Sequence, residues 1–206
     1  GIPLRIEEIA AHFDATQINA SLGRSLHTEY SYGKRNYNSV LIKDFPVLAA
    51  ANKDGVPQLW KNSEWADTFA SFIFKLNGTE TAPRVIEIHP PFSDYTDMAG
   101  FVENYSIFEE RIHSQFPDTE ILIENRCGSV YLGGKFILSK MKDVAALCES
   151  IEAKSQRLRI AFDVPQIYTA HNASTEDKYL TLLQEAKTYR SFIGGVHLWG
   201  KSYSLT

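Results

Sequence analysis

Four ionisable residues recur at nearly one spacing through the second half of the chain. His89, Glu124, Asp163 and His197 lie 35, 39 and 34 residues apart, about one strand-plus-helix unit each. Each stands at or near the end of a short apolar run: "RVIEIHPPF" (84–92), "EILIENRCG" (120–128), "LRIAFDVPQ" (158–166) and "SFIGGVHLW" (191–199). Two imidazoles and two carboxylates are a suitable ligand set for Zn²⁺ or Mn²⁺. Taken singly, a His at a strand end is usually a hydrogen-bonded core residue, and an Asp before Val-Pro usually closes a turn. Four such positions in series point instead to one metal or catalytic cluster.

Glu124 sharpens the point. An unpaired carboxylate at the end of a buried strand is costly, so it requires a positive partner, either a metal ion or Arg126. Residues two apart on a strand share a face, so Glu124 and Arg126 can also reach one substrate phosphate. Further candidates are weaker. His171 follows the third strand by a short loop and can face the same rim. His27 lies in a polar loop, as a ligand or a substrate contact. Gly133-Gly134-Lys135 reads as a turn whose Lys touches an anion. His12 and His113 sit on helical segments and read as surface. Cys127 has no base at fixed spacing and reads as a buried thiol.

The elements that would position these residues alternate. Phe101, Tyr105, Phe108 and Ile112 form one helix face after the first strand. Ser139 is placed to cap a helix with the face Met141, Val144, Cys148 and Ile151. Ser174 and Asp177 resemble a capping box for a helix carrying Leu180, Leu183 and Tyr189. Upstream, Trp65, Phe69, Phe72, Ile73 and Leu76 form an amphipathic helix behind a cap at Asn62 or Ser63. Residues 3–12 read as helix, while "FDATQINAS" (13–21) and "DFPVLAAA" (44–51) read as strands. The polar, aromatic stretch within 22–43 reads as a functional loop. Its Tyr30, Tyr32, Lys34, Arg35 and Tyr37 suit a nucleic-acid backbone.

Buried strands alternating with helices predict an α/β fold with a parallel sheet. Both a doubly wound sheet and a (β/α) barrel fit that rhythm. Strand ends spread along the edge of an open sheet but converge on one rim of a barrel, so a TIM-type barrel is the expectation. At about 34 residues per unit, 206 residues hold about six βα units. The expectation is one incomplete barrel domain over 1–206, a fragment lacking C-terminal units.

The same strand ends resemble the endonuclease IV and xylose isomerase-like TIM barrels. "HPPF" (89–92) resembles that family's His-Pro strand end and "ENRCG" (124–128) its Glu-Asn-x-x-Gly segment. "FDVPQ" (162–166) and "VHLWG" (196–200) are similar to its Asp- and His-bearing strands. The resemblance covers about residues 84–200. It implies a metal centre of Zn or Mn at the barrel mouth, with Glu124, Asp163, His197 and His89 as ligands. Asn125 and Gln166 are further site positions. The family has a His where this chain has Gln166.

In the endonuclease branch the resemblance implies hydrolysis of DNA at abasic sites, with hydroxide generated at the metal attacking phosphorus; Glu124 and Arg126 are the catalytic candidates in this chain. In the isomerase branch it implies one metal gripping a small sugar or sugar phosphate, with Glu124 as ligand and base. A non-catalytic barrel that binds metal or ligand is the third reading. The net charge of −4 argues against a basic surface over the whole protein. No apolar run reaches the length of a membrane span. Two cysteines do not make a disulfide framework, which points to a reducing cytoplasm.

Overall fold

The computed structural model describes residues 7–15, 18, 24–31, 41–50, 52–53 and 56–199. In chain order, its strands are β1 (Glu7–Ala11), β2 (Arg24–Thr28), β3 (Asn52–Lys53), β4 (Val56–Pro57), β5 (Val85–Ile88), β6 (Glu120–Glu124), β7 (Arg159–Asp163) and β8 (Ile193–His197). The α-helices are α1 (Pro46–Ala50), α2 (Ser63–Asn77), α3 (Met98–Gln115), α4 (Met141–Lys154), α5 (Val164–Ala170) and α6 (Glu176–Ala186). Strands β3 and β4 form a small antiparallel pair. The other six make one parallel sheet in the order β1-β2-β5-β6-β7-β8.

Each parallel strand therefore lies beside its nearest predecessor in the chain. A doubly wound sheet reverses its order partway; this one does not, and sequential winding is the order of a (β/α) barrel. The sheet is not closed among the described residues, where β1 and β8 are its edges. It is nevertheless strongly curled. Strands sit about 4.8 Å apart, so a flat sheet would hold β5 and β8 roughly 14 Å apart. Yet His197 Nε2 of β8 lies 3.1 Å from Glu87 Oε2 of β5. Only curvature toward that face brings the two side chains together.

The core lies on the convex side. Ile86, Ile88, Ile121, Ile123, Ile160 and Phe162 are buried against the helices. From α2 come Trp65, Phe69, Phe72, Ile73 and Leu76; from α3 come Phe101, Tyr105, Phe108 and Ile112. Both sets repeat at three- and four-residue intervals, which places them on one helix face. Asn62 caps α2 by accepting from Trp65 N at 2.9 Å, and Asp97 caps α3. In α4, Met141, Val144, Cys148 and Ile151 are buried, joined by Leu147. None of the described helices is long and apolar enough to cross a membrane.

The N-terminal third departs from the sequence expectations. Residues 7–11 are strand rather than helix, because pairing with β2 decides a segment too short to favour either state. Phe13 and Asp14 form a turn, and most of 13–21 lies outside the described residues. Residues 46–50 are helical, with Pro46 at the first position, where its missing N–H costs nothing. The polar stretch holds strand β2, while Tyr32, Lys34, Arg35 and Tyr37 lie outside the described residues.

Two caps also differ. Thr175 caps α6, not Ser174. That helix buries Leu182 and Ala186 and leaves Leu180 and Leu183 exposed. Lys140 occupies the cap position of α4, where Asp143 accepts from the backbone N–H groups of Ser139 and Lys140.

Candidate metal centre

Parallel registry assigns the concave face. Glu87 pairs with His27 on one side and with Leu122 on the other. Glu124 pairs with Ala161, and Asp163 with His197. With side chains alternating along each strand, one face carries His27, Glu87, His89, Glu124, Asp163 and His197. The pattern reflects where each strand stops. Pro90 and Pro91 stop β5 from running past Ile88 and His89, while Pro165 helps turn the chain into α5 straight after Asp163.

His27, Glu87, His89 and Glu124 form a first group whose ligand atoms all lie within 4.8 Å of one another. Its proton inventory is informative. His89 Nδ1 is 3.2 Å from the carbonyl oxygen of Glu29, which can only accept, so Nδ1 carries the hydrogen. His27 Nδ1 is 3.1 Å from Glu8 Oε1 and is committed in the same way. The two Nε2 atoms then face each other at 3.0 Å, and His89 Nε2 also lies 2.9 Å from Glu124 Oε2. Two imidazole lone pairs and a carboxylate oxygen at such distances require a cation between them, a proton or a metal ion. Ligand atoms about 2.0–2.1 Å from a tetrahedral zinc stand about 3.3 Å from each other, close to this spacing. Glu87 Oε1 adds a buried carboxylate oxygen with no hydrogen-bond partner among the described residues.

Burial pushes the His89 imidazole toward its neutral form, against the pull of Glu124. A carbonyl oxygen that fixes the tautomer of a neutral imidazole, leaving the other nitrogen free, is the usual second contact of a metal-binding His.

Glu124, Asp163 and His197 form a second group within the same 4.8 Å limit. Glu124 belongs to both. Its Oε2 faces His89, while its Oε1 lies 3.5 Å from His197 Nδ1. Burial alone would raise the Glu124 pKa, but His197, His89 and Arg126 outweigh it and hold the carboxyl well below the usual range. His197 lies between Glu124 and Glu87, whose hydrogen bonds raise its pKa to about 10. Burial raises Asp163 to about 6, against the pull of donors from Trp199 and Gln166 and with the Glu124 charge adding to the rise.

The supports are specific. Asn125 is fully buried and brackets Asp163, accepting from its N–H at 2.8 Å and donating to its carbonyl at 3.0 Å. Asp163 Oδ1 caps α5 through Gln166 N at 2.8 Å, and Oδ2 accepts from Trp199 Nε1 at 2.8 Å. Thr28 Oγ1 donates to the Glu87 carbonyl at 2.8 Å, and Trp60 Nε1 donates to the His89 carbonyl at 2.8 Å. Arg126 donates to Glu124 Oε2 through Nη1. The cluster opens into a cleft of about 490 Å³ lined by Glu8, His27, Glu124, Asp163, Gln166, His197 and Trp199, among others.

The structure thus places His27, His89, Glu124, Asp163 and His197 together, with Asn125, Arg126 and Gln166 beside them. It places two other candidates elsewhere. His171 Nε2 accepts from Met141 N at 3.1 Å and so helps cap α4. Lys135 is exposed, in the turn that follows Gly133 and Gly134, both at positive φ. Cys127 Sγ is 3.0 Å from the Tyr131 hydroxyl. His12, read as surface, is half-buried with its ring against Tyr30 and His27.

Glu87, Glu8 and Trp199 are site residues that sequence reasoning missed. For Glu87 the signal was present: it stands two residues before His89 on one strand and therefore shares its face.

No family model and no curated protein matches the chain. Among solved structures it is similar to an AP endonuclease, family 2, from Brucella melitensis. The TM-score is 0.49 and the identity 11%, over 93% of this chain and 78% of that one. The reading of the site rests on the cluster itself and not on that likeness.

Proposed function

We propose that this chain is a divalent-metal-dependent phosphodiesterase that cleaves DNA at abasic sites. One observation carries the metal-dependent hydrolase reading: two ligand groups share a single carboxylate, with the two oxygens of Glu124 facing different groups. The residues of both groups would be able to hold divalent metal, with Glu124 available to either. Paired ions, when bound, clamp a phosphoryl group, stabilise the charge that develops on it and lower the pKa of water.

The chain's own residues would then divide the work. His27, Glu87 and His89 would hold one ion, and Asp163 and His197 the other. The Glu29 carbonyl orients His89, and Asn125 fixes Asp163. The abasic-site substrate class comes from the resemblance of the strand-end motifs, and the cleft volume suits a sugar phosphate.

The second reading is a sugar or sugar-phosphate isomerase. It is favoured by the group Glu124, Asp163 and His197, which by itself offers a carboxylate-rich set for one Mn²⁺. A barrel that binds a metal or another ligand without turnover is the third.

Elemental analysis of the native protein and of Glu124→Gln separates them. Two Zn per chain, lost in the variant, together with cleavage of an abasic-site duplex, support the phosphodiesterase. One Mn with turnover of a sugar phosphate replaces it with the isomerase. Metal without turnover of either substrate leaves the binding barrel. No metal under any loading condition overturns both enzyme readings and leaves a barrel that binds a ligand other than a metal.

A further inference from the structure

Glu124 Oε2 has a cationic partner within the chain. The Nη1 of Arg126 donates to that oxygen, which also faces His89 Nε2. His197 faces the other oxygen, Oε1, so at Oε2 Arg126 is the permanently charged partner of this buried carboxylate. It pairs there through one of five N–H donors, and its Nε is buried without a hydrogen-bond partner among the described residues. The guanidinium has a second hold as well. Its carbon lies 5.8 Å from the Tyr30 ring centroid and 5.6 Å from that of Phe136. Cation–π attraction of this kind keeps a guanidinium in place without a carboxylate.

A divalent ion entering the group His27, Glu87, His89 and Glu124 needs the same oxygen and repels the guanidinium. We propose that Arg126 is an exchanging counter-ion: it holds Glu124 in the metal-free chain and, once a divalent ion takes that carboxylate, turns its donor fork to a phosphate group in the cleft. The fork matches two phosphate oxygens at once, which a lysine ammonium does not. This inference rests on the metal reading above. It adds that metal and Arg126 compete, and that metal and phosphate then bind cooperatively through Arg126.

The test is a Mn²⁺ titration of the full chain, with and without inorganic phosphate, on the native protein, R126Q and R126K. Circular dichroism and a thermal melt establish that each variant is folded. R126Q removes the competing charge, so it should bind Mn²⁺ about tenfold more tightly than the native chain, while R126K, which keeps the charge, should stay within about threefold of it. Phosphate should tighten Mn²⁺ binding about tenfold in the native chain and less than about twofold in either variant. Equal or weaker Mn²⁺ binding by R126Q overturns the exchange. Undiminished phosphate coupling in R126K overturns the role of the fork, and this arm stands even if R126Q fails to fold. A native chain that takes up no metal sinks the metal reading itself. A native chain that takes up metal while R126Q gains nothing sinks this inference alone.

Discussion

Along β5 and the residue after it, Ile86 and Ile88 face the helices, while Glu87 and His89 lie buried on the concave face beside Glu124. The same alternation holds on β6 for Ile123 against Glu124 and on β7 for Phe162 against Asp163. One step along a strand thus separates side chains that stabilise the fold from side chains that strain it. Each fully buried Ile or Phe on the convex face contributes about 1.5–3 kcal/mol. The concave face gathers buried carboxylates and imidazoles whose desolvation offsets much of their mutual attraction. A protein keeps such a face for binding, not for stability.

The largest expected effect separates the two faces. Phe72 of α2 is fully buried among Phe13, Phe45 and the core. Phe72→Ala should cost about 3–5 kcal/mol in urea unfolding and leave the metal affinity of the folded fraction within about threefold. A parallel collapse of metal binding would mean that the faces are not separable. The next effect runs the other way. Saturating metal, at 100 times its Kd, should stabilise the native chain by about 2.7 kcal/mol. Glu124→Gln should abolish that gain. Melting curves with metal and with chelator measure it, and a gain retained by Glu124→Gln would remove Glu124 from the ligand set.

These contrasts also mark what the amino-acid sequence disclosed. His89, Glu124, Asp163 and His197 stood out because each ends an apolar run that a Pro, a Gly or a polar segment interrupts. The helix faces of α2 and α3 were legible because a single apolar stripe meets the sheet. Strand β2 was not, for a physical reason. Its concave side carries Ser25 and His27, and its buried Arg24 donates to Asn77 Oδ1 through Nε at 2.9 Å and Nη2 at 2.7 Å. A strand with so few apolar residues reads as loop. Helix α6 misled differently. Leu180, Leu182 and Leu183 are consistent with more than one stripe, and only packing selects Leu182 and Ala186. Glu87 hid because a lone Glu in "VIEI" reads as a solvent edge until the curl of the sheet encloses it.

A smaller effect tests how the site is held. Asn125 joins β6 to β7 by gripping both backbone groups of Asp163. Asn125→Ala should weaken metal binding about 10–100-fold, the usual effect of losing a residue that orients a ligand. Gln166→Ala is the matched control. Gln166 reaches Asp163 through its main-chain N–H, so its replacement should change metal affinity by less than about threefold. Equal losses in the two variants would show that the cleft wall, rather than the orientation of Asp163, governs binding.

The smallest effect per step is set by protons, and its sign follows from His197. With its pKa at about 10, His197 is protonated at pH 7 between Glu87 and Glu124. Its folded value lies above its unfolded one, near 6.5, so its contribution to stability is full below about pH 6.5 and fades as pH rises through about 10. Asp163, raised to about 6, follows the same rule lower down, with its contribution lost between about pH 4 and 6. Glu124 is ionised throughout this range and adds nothing. A metal ion on His197 must expel its proton, so affinity should rise about tenfold, or about 1.4 kcal/mol, per pH unit from 7 to 9. Calorimetric titration at pH 7 in two buffers of different ionisation enthalpy should register release of about one proton per chain. His197→Asn should remove that release and flatten the pH dependence, while the helix-facing side of the sheet, which carries no such group, should show neither change. Proton release that persists in His197→Asn would place the displaced proton between His27 and His89 instead, and with it the first ion to bind.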